Sequence, residues 1–181
     1  MQVQTGIAKG KRLKLPKTKK VRPTTSRIKK SIFDKLGNLD GLNVLDLFSG
    51  SGNLGIEALS KKASTVTFVE KQRSVANILM ENIKSCGFEE QCETLVYDFN
   101  KAIKRLLRDC RKFDLILIDP PYDLYNSLDV ADFVTSVRDL LNSSGTIVIE
   151  HNQLFEFSDP KFVLDTKNYG GTNISFLWSV N

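Results

Sequence analysis

The sequence predicts an α/β domain with a mainly parallel sheet covered by helices on both faces. Short, near-continuous apolar runs alternate with segments of helical periodicity, and a glycine-rich turn joins the first run to the helix behind it. Acidic residues or glycine follow the ends of several runs, where such sheets bind ligands. A length of 181 residues fits one globular unit, and fractions of 41% hydrophobic and 26% charged residues are those of an ordinary soluble core. No apolar run approaches the ~18–20 residues of a spanning helix, and the expected location is cytoplasmic.

The elements follow in order. Val3, Ile7, Leu13 and Leu15, with Gly6 and Gly10 between them, read as a short β-hairpin in a basic arm over residues 1–22, ahead of a main domain over 23–181. A helix starts at Thr25 or Ser26, packing Ile28, Ile32, Phe33 and Leu36 while Arg27, Lys29 and Lys30 point mostly elsewhere. Asn43–Phe48 is a buried strand, followed by a helix through about Leu59. Strands are then expected at Thr65–Glu70, Thr94–Tyr97, Phe113–Asp119 and Thr146–Glu150. Helices alternate with them at about Ser74–Ser85, Lys101–Arg108 and Val130–Leu141. Phe162–Asp165 and Asn173–Trp178, joined through Gly170 and Gly171, read as a closing antiparallel hairpin.

Charge is unevenly spread. Residues 1–33 hold eleven lysines and arginines and no acidic residue, whereas the rest holds 15 basic and 21 acidic side chains, a net of −6. A basic arm on an acidic body suits a polyanionic partner. The three cysteines, Cys86, Cys92 and Cys110, lack the spacing of a metal or redox site, and no metal is expected.

Three features carry chemistry. Gly50, Gly52 and Gly55 form G-x-G-x-x-G between a strand and a helix, where the missing Cβ lets the backbone turn tightly and approach a ligand. Twenty positions after Gly50, Glu70 ends the second strand and can accept from both ribose hydroxyls of an adenosine. Asp98, after the third strand, suits the adenine amino group or a helix N-cap equally. Asp46 and Ser49, flanking the turn, complete the candidate cofactor contacts. No Gly-Lys-Ser/Thr follows the glycines, which excludes a P-loop; the motif alone fits S-adenosylmethionine or a dinucleotide. Asp119-Pro120-Pro121-Tyr122 ends the fourth strand. Its prolines fix φ and remove amide donors, so the Asp119 carboxylate and the Pro120 carbonyl stand as two rigid acceptors, matched to an amino group with two N–H bonds to give. Tyr122 offers a face on which an extruded base can stack. His151, alone and without a catalytic partner, reads as structural.

Taken together, Arg22-Pro23-Thr24 before an amphipathic helix, the run Asp46–Ser60, Asp119–Tyr122 and the late Lys167-Asn-Tyr169-Gly170 resemble the bacterial 16S ribosomal RNA (guanine-N2)-methyltransferases over nearly the whole chain. The resemblance implies a Rossmann-like class I methyltransferase fold: a mostly parallel seven-stranded sheet with an antiparallel C-terminal hairpin and an N-terminal β-hairpin. It implies S-adenosylmethionine as cofactor, with Gly50, Gly52 and Glu70 contacting it and Arg22, Pro23 and Thr24 lying over it. Asp119, Pro120 and Tyr122 become the catalytic set around guanine. The implied partner is 16S rRNA or a small-subunit assembly intermediate, with no membrane. Two positions depart from the family pattern, which usually carries an acidic residue where this chain has Ser26 and another where it has Lys30. Both departures raise local positive charge.

A DNA amino-methyltransferase acting on adenine N6 or cytosine N4 would use the same acceptors, but only about thirty residues of basic arm remain outside the catalytic fold to read base edges. Protein glutamine methylation typically has Asn in place of Asp119. A nucleotide-binding oxidoreductase is the alternative of a different class.

Overall fold

The computed structural model describes residues 1–16, 25–126, 129–153 and 156–180, with only the backbone described at Tyr122 and Asn126. Seven strands form one sheet in the order β3-β2-β1-β4-β5-β7-β6. They are β1 (Asn43–Asp46), β2 (Thr65–Val69), β3 (Cys92–Leu95), β4 (Phe113–Ile118), β5 (Leu141–His151), β6 (Phe162–Asn168) and β7 (Asn173–Ser179). The first five pair in parallel, and β7 joins β5 and β6 antiparallel. The helices are α1 (Ser26–Leu36), α2 (Asn53–Ser60), α3 (Arg73–Cys86), α4 (Phe99–Arg108) and α5 (Val130–Val137).

The sheet separates two apolar layers. On one face Ile28, Ile32 and Phe33 of α1, Leu54, Ile56 and Leu59 of α2 and Leu79 and Ile83 of α3 meet Val44, Val66, Leu115, Leu117 and Val148. On the other, α4 and α5 place Ala102, Leu106, Phe133 and Val137 against Leu45, Ile116, Ile118 and Ile147. Alternate residues of β1 and β4 thus go to opposite layers, which is why these strands are apolar without interruption. Thr25 starts α1 as its N-cap, accepting from Ile28 N, and Asp98 and Asp129 do the same for α4 and α5.

The N-terminal segment packs as part of the body. Gln2 bridges Arg12 in an antiparallel pair, and Val3, Ala8 and Leu13 are buried in the first layer. Gly6 has φ +74°, and a Cβ there would fall 1.7 Å from the Ser60 carbonyl oxygen, so glycine is required. Ile7 N donates to the same carbonyl at 2.8 Å.

Several expectations need correction. Lys29 does not join the basic outer face of α1: its Nζ is buried 2.7 Å from Glu57 of α2 and donates to Gln2 O at 2.9 Å. Glu57 also accepts the Gln4 and Thr5 amides and the Thr5 hydroxyl. Lys29 shares the helical stripe of Phe33, four positions on, so geometry buries it once a carboxylate is available. β3 lies at Cys92–Leu95, two residues earlier than expected, because pairing with β2 is complete once Glu70 N reaches Leu95 O. α5 stops at Val137 and gives way to a 3-10 turn at Arg138–Leu140. β5 begins at Leu141, with an irregular register against β4 between Phe113 and Leu115.

Candidate active site

The carboxyl ends of β1 and β4 are neighbours, and β1 is where the strand order reverses. A crevice at such a switch point is where open α/β sheets bind ligands. Asp46 stands opposite Leu117 in the register, and Leu47 N donates to Leu117 O at 3.0 Å. The chain leaving β1 into the glycine turn therefore runs beside the chain leaving β4 into Asp119.

Each glycine of the turn has its own reason. Gly50 has φ +52°, and a Cβ built on it meets nothing within 4 Å, so this part of the backbone faces open space. Gly52, φ +91°, is the N-cap of α2. Gly55 sits where α2 crosses the sheet; a Cβ would meet the Phe68 ring at 2.2 Å and the Asp46 carboxylate at 2.9 Å. The motif is thus two turn glycines and one close-packing glycine.

Side chains lock the turn. The Ser49 hydroxyl donates to Asp46 O at 2.7 Å and accepts from Val69 N at 2.9 Å, tying the turn to β2. The Glu70 carboxylate accepts from Gly50 N at 3.1 Å and Gln72 N at 2.7 Å. Each oxygen keeps a lone pair for a further donor. Asp46 is fully buried and accepts from Gly55 N at 2.9 Å. Burial pushes its carboxyl up to about 7; the Gly55 amide opposes this, and the charges of Asp119 and Glu70 add to it. Asp119 and Glu70 thus lie within electrostatic reach of Asp46.

Asp119 is half-buried and Pro120 buried. The following 3-10 turn, Tyr122–Asn126, is held by Leu124 N donating to Pro121 O at 2.9 Å, by the buried Tyr125 hydroxyl donating to Glu150 O, and by Gln153 Nε2 donating to Tyr125 O at 2.8 Å. Beside the loop, the Phe48, Phe99 and Phe133 rings cluster with centroids 5.2–5.9 Å apart. This aromatic wall was missed, although Phe48 inside the glycine motif and Phe99 after Asp98 were its signal.

The predicted residues Asp46, Ser49, Gly50, Gly52, Glu70, Asp119 and Pro120 therefore converge at the carboxyl ends of β1, β2 and β4. Asp98, past β3, is half-buried and accepts from Asn100 N at 3.0 Å as the α4 cap. The side chain of Tyr122 and all of Arg22, Pro23 and Thr24 lie outside the described residues. Asn82 of α3 links the glycine turn to the N-terminal segment: it donates to Ser51 O at 2.8 Å and Lys14 O at 3.0 Å and accepts from Lys14 N at 2.8 Å. His151 is fully buried, hydrogen-bonded to Gln153 O at 3.0 Å and to the Ser175 hydroxyl at 2.8 Å. Burial holds its pKa below the ordinary value, as a structural imidazole requires.

Residues 1–178 match the family described as Conserved hypothetical protein 95. The chain belongs to that family. Within this Conserved hypothetical protein 95 setting, Bacillus subtilis YlbH, whose name assigns it provisionally to the rRNA methyltransferases, is 32% identical over 160 residues, 88% of this chain and 86% of its own length. The Haemophilus influenzae protein named Ribosomal RNA small subunit methyltransferase D is 28% identical over 151 residues, 83% of this chain and 78% of its own length. A solved Streptococcus pyogenes protein superposes with a TM-score of 0.76 at 28% identity over 84% of this chain and 95% of its own. Among the described residues no helix is long and apolar enough to cross a membrane, and no group of His, Cys, Asp or Glu could hold a metal ion.

Proposed function

We propose that this protein transfers the methyl group of S-adenosylmethionine to the exocyclic N2 of a guanine in small-subunit ribosomal RNA. The observation that carries the reading is the convergence of the Gly50 turn, Glu70 and Asp119-Pro120 on one crevice, in a chain whose relatives are named as rRNA methyltransferases.

The residues present fit the cofactor. Open space over Gly50 leaves room for a ligand against the backbone, and Glu70 retains acceptor capacity for two ribose hydroxyls. The half-buried rings Phe48 and Phe99 supply an apolar wall for an adenine. Arg22 and Thr24 belong to the proposed set on the resemblance, and Asp98 on its position at the same rim. When bound, S-adenosylmethionine supplies a methyl group on a positively charged sulfur. The carboxylates of Glu70 and Asp119 at the crevice favour that charge.

The lone pair of a guanine amino group is delocalised into the ring, so the amine is a poor nucleophile. Asp119 and the Pro120 carbonyl would each accept one of its N–H bonds, favouring a pyramidal nitrogen and dispersing the positive charge that builds on it as the N–C bond forms and the methyl–sulfur bond breaks, its electron pair staying on sulfur. The departing proton passes to the Asp119 carboxylate or to water. Guanine N1–H lies beside the amine as one more donor, and a carboxylate accepts it better than a neutral amide would. Tyr122 is the proposed stacking platform for a base turned out of a loop.

Labelled cofactor incubated with small-subunit particles or rRNA lacking the modification tests this. Label in N2-methylguanosine is expected; label only in N6-methyladenosine, or only in DNA, refutes the reading in favour of the amino-methyltransferase alternative.

A further inference from the structure

A second surface near the same rim gathers basic side chains. An open groove of about 410 Å³ runs between α1 and the edge strand β6, lined by Arg27, Lys30, Ser31, Asp34, Lys35 and Lys167. Arg27, Lys30, Ser31 and Asp34 recur at helical spacing on the side of α1 away from its buried Ile28, Ile32 and Phe33. Lys167 faces them from β6. Lys35 is paired with Asp165 and lies 4.5 and 4.9 Å over the Phe176 and Trp178 rings. Arg27, Lys30 and Lys167 take no ion-pair partner among the described residues, which leaves three cations against the single carboxylate of Asp34. Burial, and next the charge of Lys167, lower the pKa of Lys35, so the two ammonium groups feel each other although Lys35 is paired with Asp165.

The register fixes where this groove stands relative to the crevice. Ile118 pairs with Ile149, so Asp119 falls level with Glu150; Glu150 pairs with Ile174, and Ile174 with Lys167. Asp119 and Lys167 therefore lie in one row, three strand spacings or roughly 14 Å apart. Tyr169, in the turn after β6, hydrogen-bonds with the Ser31 hydroxyl and so ties α1 to the end of β6.

We propose that the groove holds the phosphates flanking the nucleotide presented to Asp119, so that α1 and β6 form a docking track for single-stranded or loop RNA. The proposal rests on the reading of the crevice as an RNA methyltransferase site. Its contacts are to backbone phosphate, since lysine and arginine side chains on an open surface meet charge rather than base edges. The track therefore contributes to substrate affinity and leaves the chemical step alone.

The test combines K30E with K167E in the full chain and compares it with a charge-matched control, K62E with K84E, whose exposed lysines lie near the amino ends of the strands. Binding of a guanine-containing RNA hairpin is measured across a salt series, and methyl transfer to rRNA separately. The groove variant is expected to bind roughly tenfold or more weakly, with a salt slope shallower by about 0.7–0.9 per lost contact. Its KM for RNA rises while kcat and S-adenosylmethionine affinity hold. Equal affinity and slope in the groove variant and the control overturn the track, even if the parent methylates guanine. A parent that binds RNA, loses that binding in the groove variant, yet transfers no methyl group to guanine supports the track and refutes the function. A parent that does not bind RNA overturns both.

Discussion

Under the proposed function Asp119 reports most directly on the chemistry, because its carboxylate is proposed to face the amine while Glu70 and the Gly50 turn are proposed to take the adenosine side. Asp119→Ala is expected to lower methyl transfer by roughly 10²–10⁴-fold with S-adenosylmethionine affinity nearly unchanged. Turnover within threefold of the parent would remove Asp119 from the mechanism. Asp46 makes a different statement. Its carboxyl is raised to about 7 by burial, so between the ordinary carboxylate range and pH 7 the folded state binds a proton that the unfolded chain has lost. This contribution to stability is complete below the unfolded value and disappears as pH rises through 7. Asp46→Asn keeps an acceptor for Gly55 N and is expected to flatten the fall in melting temperature from pH 4 to pH 7.5. Parallel curves for the two proteins would show that Asp46 does not titrate there. The glycine turn, Glu70 and Asp119 were legible because each ends a strand run. The burial of Asp46 was not, since an Asp at a strand end reads the same whether it meets a ligand or a backbone amide.

Between elements, the buried pair Lys29–Glu57 joins α1, α2 and the N-terminal hairpin at one point, with Glu57 receiving two backbone amides of the hairpin as well as the lysine. Glu57→Ala leaves the Lys29 ammonium buried with only Gln2 O to meet it, a loss of about 3–5 kcal/mol. Lys29→Met with Glu57→Gln removes both charges and keeps an acceptor for the amides, so the double variant should recover part of that loss in urea unfolding. A Glu57→Ala protein within about 1 kcal/mol of the parent would mean that the hairpin is held by Val3, Ala8 and Leu13 and by its bonds to Ser60 and Asn82, without help from the pair. The pairing of Gln2 with Arg12 was readable from Val3, Ile7, Leu13 and Leu15 with Gly6 and Gly10 between them, although only Val3 and Leu13 of the four are buried. The hairpin's partners were not: Glu57 looks like a surface residue of a short helix until the topology lays the first strand of the hairpin across it. The order of strands and helices followed from the alternation of apolar runs, whereas β3 and α5 shifted at their ends because pairing and capping, rather than apolar content, decide where an element stops.

At the scale of the molecule, exposed cations and the acidic groups of the crevice lie apart. The acidic groups Asp46, Glu70 and Asp119 gather at the crevice, where a positively charged cofactor is proposed to bind, and the exposed cations of residues 9–14, α1 and β6 lie outside it on the face covered by α1 and the hairpin. A polyanion can be held by its backbone at that periphery while one base enters the acidic centre. The sequence already carried this contrast in its basic first 33 residues and acidic remainder, but not the row that aligns Lys167 with Asp119, which exists only through the pairing of β5, β7 and β6. The central claim is that this crevice methylates guanine N2 in small-subunit rRNA, and nucleoside mass spectrometry of 16S rRNA from a strain lacking the gene tests it most directly. The account predicts that one N2-methylguanosine disappears and returns when the parent gene, but not the Asp119→Ala gene, is restored; an unchanged N2-methylguanosine content in the deletion strain would contradict it.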